Sequence, residues 1–449
     1  MKSASAFLFV IATMFASIPA QAGPDWQTIV PTEDPFLTDG SRDHLLIDAD
    51  GELILDRAGR SMAPRCAVPA IPVKDDQGNT HFVPNPFRFF VQPGDPARLI
   101  VFHTGGGACW NGLTCASSLG PARGTYNIAP TETAETLQEA GGILDADDPA
   151  NPFRDWTKVY IPYCTGDVGW GNVETGYTVI GAGGLPASFV ISHRGYANIR
   201  SVSQWLKAYA QSNGAPDQVL VAGVSGGGYA AIGTLLPEVV DALGDGADYF
   251  LIGDSANGVV TDHFLEEAGT SWGFDGTLPG HMLDAVRHGA QWLPVRVYNN
   301  TARRYPGLRL GQFQNAFDTV QARVLTIMKF PDDPSAWNNP DRIGESLVEW
   351  TGAMRVYTLT SALIPRYRFY TAAGYEHVVL QSIPLAAGFG FCSDEFSTEG
   401  SASSLRGQVL LQDWADDMVN RRGRLWRTGE WQNATCFPYC NVPPTCPLQ

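Results

Sequence analysis

From about residue 98 onward, apolar residues fall alternately into short unbroken runs and helical stripes. Leu99-Ile-Val-Phe102 has no polar break, the signature of a strand buried on both faces, and it runs into Gly105-Gly106-Gly107. Lys158-Val-Tyr-Ile161 reads the same way and leads into Pro162-Tyr163-Cys164. Between Tyr196 and Gln211, residues Ile199, Val202, Trp205, Leu206 and Tyr209 recur at helical spacing. The pattern then predicts a strand at 218–222, a helix at 226–240, strands at 249–252 and 367–370, and a helix over 405–419. Alternation of this kind predicts an α/β fold: a mainly parallel sheet with helices on both faces.

Other stretches depart from that rhythm. Residues 23–97 are rich in Pro, Gly and Asp and read as a β-rich extension of hairpins and loops on the edge of the main domain. Residues 259–306 scatter Trp, Gly and Pro, as expected of an insertion or lid over the carboxyl edge of the sheet. At the N-terminus, Lys2, an apolar run from Ala6 to Ile18 and then Ala20-Gln21-Ala22 form a secretory signal pattern. Residues 1–22 are therefore expected to be removed near Ala22, giving a secreted or periplasmic chain. No later run is long enough for a transmembrane helix, so no stable membrane insertion is expected. Without linkers or repeats, residues 23–449 read as one domain with insertions.

The formal net charge of −16 argues against nucleic acid and anionic membranes as partners. Eight cysteines in an exported chain predict disulfides. Cys109 and Cys115 bracket a short loop, and Cys436, Cys440 and Cys446 pin a tail over 430–449. A zinc site competes with this, but the tail has no paired CxxC and no histidine, so no metal is expected.

Gly223-Val-Ser225-Gly-Gly227 matches GxSxG directly after one predicted strand and at the start of a helix. That setting marks Ser225 as a nucleophile. In an α/β-hydrolase the base follows an acid, in the order Ser, Asp or Glu, His. His44, His81, His103 and His193 precede Ser225, and His263, His281 and His288 fall in the insertion. His377 remains, just past a predicted strand. For the acid, Asp254, Asp318 and Asp332 each follow a strand-like run; Asp254 comes early, and pattern does not separate the other two. Amides of Gly106, Gly107 and Gly226 are the candidates for an oxyanion hole.

Several segments together resemble the pectin acetylesterases, the family that includes the Wnt deacylase Notum. They are 104–110, Asn151-Pro-Phe-Arg-Asp-Trp156, Tyr163-Cys164, Arg194-Gly-Tyr-Ala-Asn198, 223–228, Gly253-Asp254-Ser255, Phe313–Asp318 with Gln321, and His377-Val-Val-Leu380. The resemblance spans roughly residues 98–380 and implies an α/β-hydrolase-type fold. It implies Ser225 as nucleophile, His377 as base and Asp318 rather than Asp332 as acid. It also implies the oxyanion donors Gly106, Gly107 and Gly226. Asp254 with Ser255 is implied as structural support or, less favoured, a substrate contact. One departure is Gly107, where a bulkier residue is common. The expected activity is cofactor-free hydrolysis of O-acyl, chiefly O-acetyl, esters on a polysaccharide. Alternatives are a carboxylesterase or polyester depolymerase acting on longer acyl chains, and a non-catalytic carbohydrate-binding relative.

Overall fold

The computed structural model describes residues 25–75, 77–120, 124–180, 184–382, 402–404, 407–420, 431–438 and 440. The expected signal segment 1–22, Cys392 and Cys446 lie outside the described residues. An eleven-stranded sheet runs in the order Gln27–Ile29, Phe89–Gln92, Trp156–Ile161, Asp95–His103, Gln218–Val224, Asp248–Asp254, Arg309–Asn315, Tyr367–Ala372, Ala434–Thr435, Ala402–Ser404, Gly407–Val409. From Trp156–Ile161 through Ala434–Thr435 every neighbouring pair is parallel. The first two strands extend the edge antiparallel, so part of the N-terminal β-rich segment is built into the sheet.

The unbroken apolar runs follow from burial on both faces. Leu99, Val101, Val219, Val221 and Leu251 pack into one layer with Ile199, Val202, Leu206 and Val239. Ile100, Phe102, Leu220, Ala222, Phe250 and Ile252 pack into the opposite layer with Leu144, Trp414 and Met418. A strand with no solvent face has no reason to alternate, which is why these runs carry no polar period. No described helix is long and apolar enough to cross a membrane.

Four local expectations differ from the structure. The helix expected over 226–240 is Gly226–Ala230, a π-helical turn over Ala231–Leu235, and Leu236–Leu243. There the Trp170 indole donates to the Tyr229 carbonyl at 3.0 Å, and the Thr234 hydroxyl donates to Ala230 O at 3.3 Å. Side chains that occupy helix carbonyls in this way widen the turn. The run before Asp332 is not a strand but part of the helix Thr319–Lys329, which buries Gln321, Ala322, Leu325 and Thr326. Its Val, Ile and Thr content suggested a strand, whereas the burial has a helical period. The irregular segment 259–306 contains the helices Asp262–Trp272, Gly280–Arg287 and Leu293–Arg304. Near the C-terminus, the helix expected over 405–419 begins only at Leu411, after the strand Gly407–Val409.

The six described cysteines pair as Cys66–Cys164, Cys109–Cys115 and Cys436–Cys440. The local 109–115 loop was expected; Cys436–Cys440 closes a loop within the tail, and Cys446, expected to help pin it, lies outside the described residues. Cys66–Cys164, 98 residues apart, has no signature in spacing. It ties the N-terminal segment to the loop after Trp156–Ile161, a site where chain-entropy reasoning gives a large effect. Replacing both Cys66 and Cys164 by Ala is expected to lower the unfolding free energy by about 2–5 kcal/mol. Guanidinium unfolding of both proteins under non-reducing conditions measures this; an unchanged midpoint would contradict it.

Candidate active site

Ser225 leaves the strand Gln218–Val224 at φ 52° and ψ −125° and opens the helix at Gly226. For a residue with a side chain this region costs about 1–3 kcal/mol, so the turn must be enforced by its surroundings. Enforcement is steric. A Cβ on Gly223 would stand 2.2 Å from Gly227 O, and one on Gly227 would stand 2.1 Å from His103 O. Strand, turn and helix therefore approach at backbone contact, and the Ser225 N–H donates to Asp254 O at 2.8 Å.

The glycine loop after Asp95–His103 lies against this turn. Gly107 pairs with Tyr126 through an isolated bridge, in which Asn127 N–H donates to Gly106 O at 2.8 Å and Ala108 N–H to Thr125 O at 3.1 Å. That pattern leaves the N–H groups of Gly106 and Gly107 out of the bridge. Gly226 is the first helical residue, so its N–H has no partner within the helix. The departure at Gly107 has a local cause: φ is 76°, and a Cβ would fall 1.9 Å from Thr125 O. Tyr163 braces the loop, its hydroxyl donating to Gly107 O at 2.7 Å and accepting from Val168 N–H at 2.9 Å. On the outer side the helix Asp262–Trp272 closes in: the Trp272 indole donates to Cys109 O at 2.8 Å, and Trp110 meets Phe264 edge-on at 4.8 Å.

Asp318 caps the helix Thr319–Lys329, with Oδ1 accepting from Gln321 N–H at 2.9 Å. Its Oδ2 contacts His377 Nδ1 at 2.8 Å and accepts from Gln314 Nε2 at 3.0 Å. Asp318 is fully buried and His377 nearly so. The other ring nitrogen, His377 Nε2, is buried without a hydrogen-bond partner among the described residues. Asp332 is exposed.

Asp254 is also fully buried, and its carboxylate faces the protein's own donors. Oδ2 accepts from Val379 N–H at 2.7 Å and Leu380 N–H at 2.9 Å, and Oδ1 accepts from the Ser255 hydroxyl at 2.8 Å. Ser255 Oγ in turn accepts from Val378 N–H at 3.0 Å, and Ser255 O accepts from Gln321 Nε2. Ser255 and Val378, like Ser225, have positive φ, at 53° and 65°. Hydrogen bonds to a charged group contribute about 1.5–3 kcal/mol each, enough to offset strain of that size.

Burial pushes Asp254 up to about 6, against the pull of those donors and of His377. For His377, burial alone would lower the pKa, but the Asp318 charge, the Asp318 hydrogen bond and the Asp254 charge outweigh it. Its net shift is upward from 6.5. Cys109, Cys115 and His193 cluster elsewhere, yet the two sulfurs are bonded to each other and both His193 nitrogens are engaged by Tyr177 and Thr165.

A mainly parallel sheet with helices on both faces, a serine at a strand–helix turn, and later loops supplying aspartate and histidine define the α/β-hydrolase class. Residues 89–255 match the family model described as Pectinacetylesterase. Over that segment the chain is similar to the pectin acetylesterase family. Over 72 residues, 16% of the chain, it is 37% identical to the palmitoleoyl-protein carboxylesterase NOTUM of Schmidtea mediterranea, and the match covers 13% of that relative's length. Two crystal forms of the Wnt deacylase Notum from Drosophila align over 70% of this chain and 86% of theirs, at 18% and 17% identity with TM-scores of 0.44 and 0.43.

Of the residues singled out from sequence, Asp318 and His377 are in contact, and Asp254 links the Ser225 turn to the His377 loop. Pattern reasoning missed Gln314 as a second donor to Asp318. It also missed Gln381, whose Nε2 donates to Thr104 Oγ1 at 2.7 Å and ties the histidine loop to the glycine loop. A lone glutamine at a strand position carries no signal of such a contact. The raised His377 pKa has a linked stability effect: its contribution is fully present below 6.5 and is lost as pH rises through the higher folded value. His377 is expected to titrate above 6.5 by NMR and to move down in Asp318→Asn; the same titration in both proteins would contradict the coupling.

Proposed function

We propose that the protein is a secreted serine esterase that hydrolyses O-acyl, chiefly O-acetyl, esters on a polysaccharide. The observation that carries this reading is the 2.8 Å Asp318–His377 contact with Nε2 left unpartnered, on a loop tied through Asp254 to the Ser225 turn. In the reaction, Ser225 Oγ attacks the ester carbonyl carbon while His377 Nε2 takes its proton. Asp318 holds the Nδ1–H tautomer and stabilises the imidazolium. The N–H groups of Gly106, Gly107 and Gly226 hold the oxyanion. The tetrahedral adduct expels the alcohol, which takes the proton from His377, and leaves an acyl-enzyme. Water, deprotonated by His377, then releases the acid and restores the serine. No step requires a metal or organic cofactor.

Export fits the N-terminal signal pattern and three disulfides. A second reading, a carboxylesterase for longer acyl chains, is favoured by the 37% identity to a palmitoleoyl-protein carboxylesterase. The net charge of −16 also weighs against a polyanionic glycan unless its binding groove is locally basic.

Hydrolysis of p-nitrophenyl esters from acetate to palmitate is expected to peak at acetate, with acetate release from an acetylated glycan. A palmitate optimum would favour the second reading. Fluorophosphonate is expected to label the wild type and not Ser225→Ala; absence of labelling in the native protein would leave only a non-catalytic binding role. Asp318→Asn is expected to reduce kcat roughly 10⁴-fold. Gly107→Ala should reduce it about 10²–10³-fold by displacing an oxyanion donor. Both are read in the same steady-state assay, and wild-type rates would remove those residues from the mechanism.

A further inference from the structure

We infer that Asp254 is a positioning residue for the proposed base: its carboxylate fixes the main chain that carries His377, and its charge supports the imidazolium. The inference rests on the serine-esterase reading of the site. Asp254 stands opposite Val224 in the neighbouring parallel strand, and its carbonyl accepts the Ser225 N–H at 2.8 Å. Its side chain reaches the other way, to the amides of Val379 and Leu380 at 2.7 and 2.9 Å. One residue thus holds the nucleophile through its main chain and the base through its side chain.

Ser255 extends the arrangement to the acid. Its carbonyl accepts from the Gln321 side chain, and the Gln321 N–H donates to Asp318 Oδ1 at 2.9 Å. All three proposed triad members therefore connect to the Asp254-Ser255 pair by no more than one intervening residue. Asp318 alone can orient the imidazole only if the loop beneath the ring stays put. That loop includes Val378 at φ 65°, whose N–H is held by Ser255 Oγ at 3.0 Å.

The carboxylate also acts through space. The charged groups acting on His377 are Asp318, from the start of its helix, and Asp254, from the sheet. The Asp318 charge also acts on Tyr229, on the helix after Ser225, whose hydroxyl accepts from Gly258 N–H at 3.0 Å. When His377 takes the serine proton, the imidazolium gains two buried carboxylates rather than one. Asp254, a fully buried acid, gains a counter-ion in the same step.

The test uses the full chain with wild type and Ser225→Ala as references, and compares Asp254→Asn, Asp254→Ala and Ser255→Ala. Asparagine can keep both amide contacts through Oδ1 while removing the charge. Asp254→Asn is therefore expected to lower kcat at least about tenfold with KM little changed. The acid limb of its kcat/KM profile and the NMR titration of His377 should both move to lower pH. Asp254→Ala should lose more, because the loop is also released. If neither Asp254 variant folds, Ser255→Ala decides: a reduced kcat with an unmoved acid limb supports the positioning role. Folded Asp254→Asn with wild-type kcat and an unmoved His377 titration would overturn the inference. A native wild type that fluorophosphonate does not label would instead overturn the esterase reading beneath it.

Discussion

The turn at Ser225 is possible only because backbone meets backbone there. Around Gly223 and Gly227 the strand, the helix start and the segment after His103 approach so closely that no Cβ fits. This packing forces the positive φ and aims the serine out of the carboxyl end of the sheet. It also sets the two neighbours of the strand Gln218–Val224. Asp95–His103 delivers the glycine loop on one side, and Asp248–Asp254 delivers Asp254 on the other. The sheet order thus decides which loops can share a site.

Beyond that turn, polar groups are arranged in a chain of mutual support. Asp318 is both a helix cap and the partner of His377, so the helix Thr319–Lys329 cannot shift without moving the histidine. Tyr163 braces Gly107, while Gln381 ties the segment after His377 to Thr104. A site built this way carries strain at Ser225, Ser255 and Val378 because several independent contacts each hold one corner.

Much of the sheet was legible because strands buried on both faces leave continuous apolar runs. Leu99–Phe102 and Val219–Ala222 are the clear cases. The proposed nucleophile, Ser225, stands out by its motif, and the proposed base, His377, by chain order. The proposed acid does not, because Asp318 and Asp332 both follow apolar runs that composition leaves ambiguous. Only the wider resemblance separated them, and the structure gives the reason: one run is the strand Arg309–Asn315, the other the helix Thr319–Lys329. Contacts such as Cys66–Cys164 and Gln381 to Thr104 join residues far apart in the chain. Nothing local encodes them.

The Cys109–Cys115 bridge has a consequence for where this protein acquires its working shape. Cys109 lies two residues beyond Gly107 and is further held by its N–H donating to Gly166 O at 2.9 Å. The glycine loop is thus fastened at one end by a covalent bond that a reducing cytosol does not sustain. With Cys109 and Cys115 reduced, that loop would be held by hydrogen bonds and packing without the covalent bond. On the proposed export, the oxidising compartment would complete the site as well as receive the protein, and a recombinant host without one would produce folded chains with a looser loop.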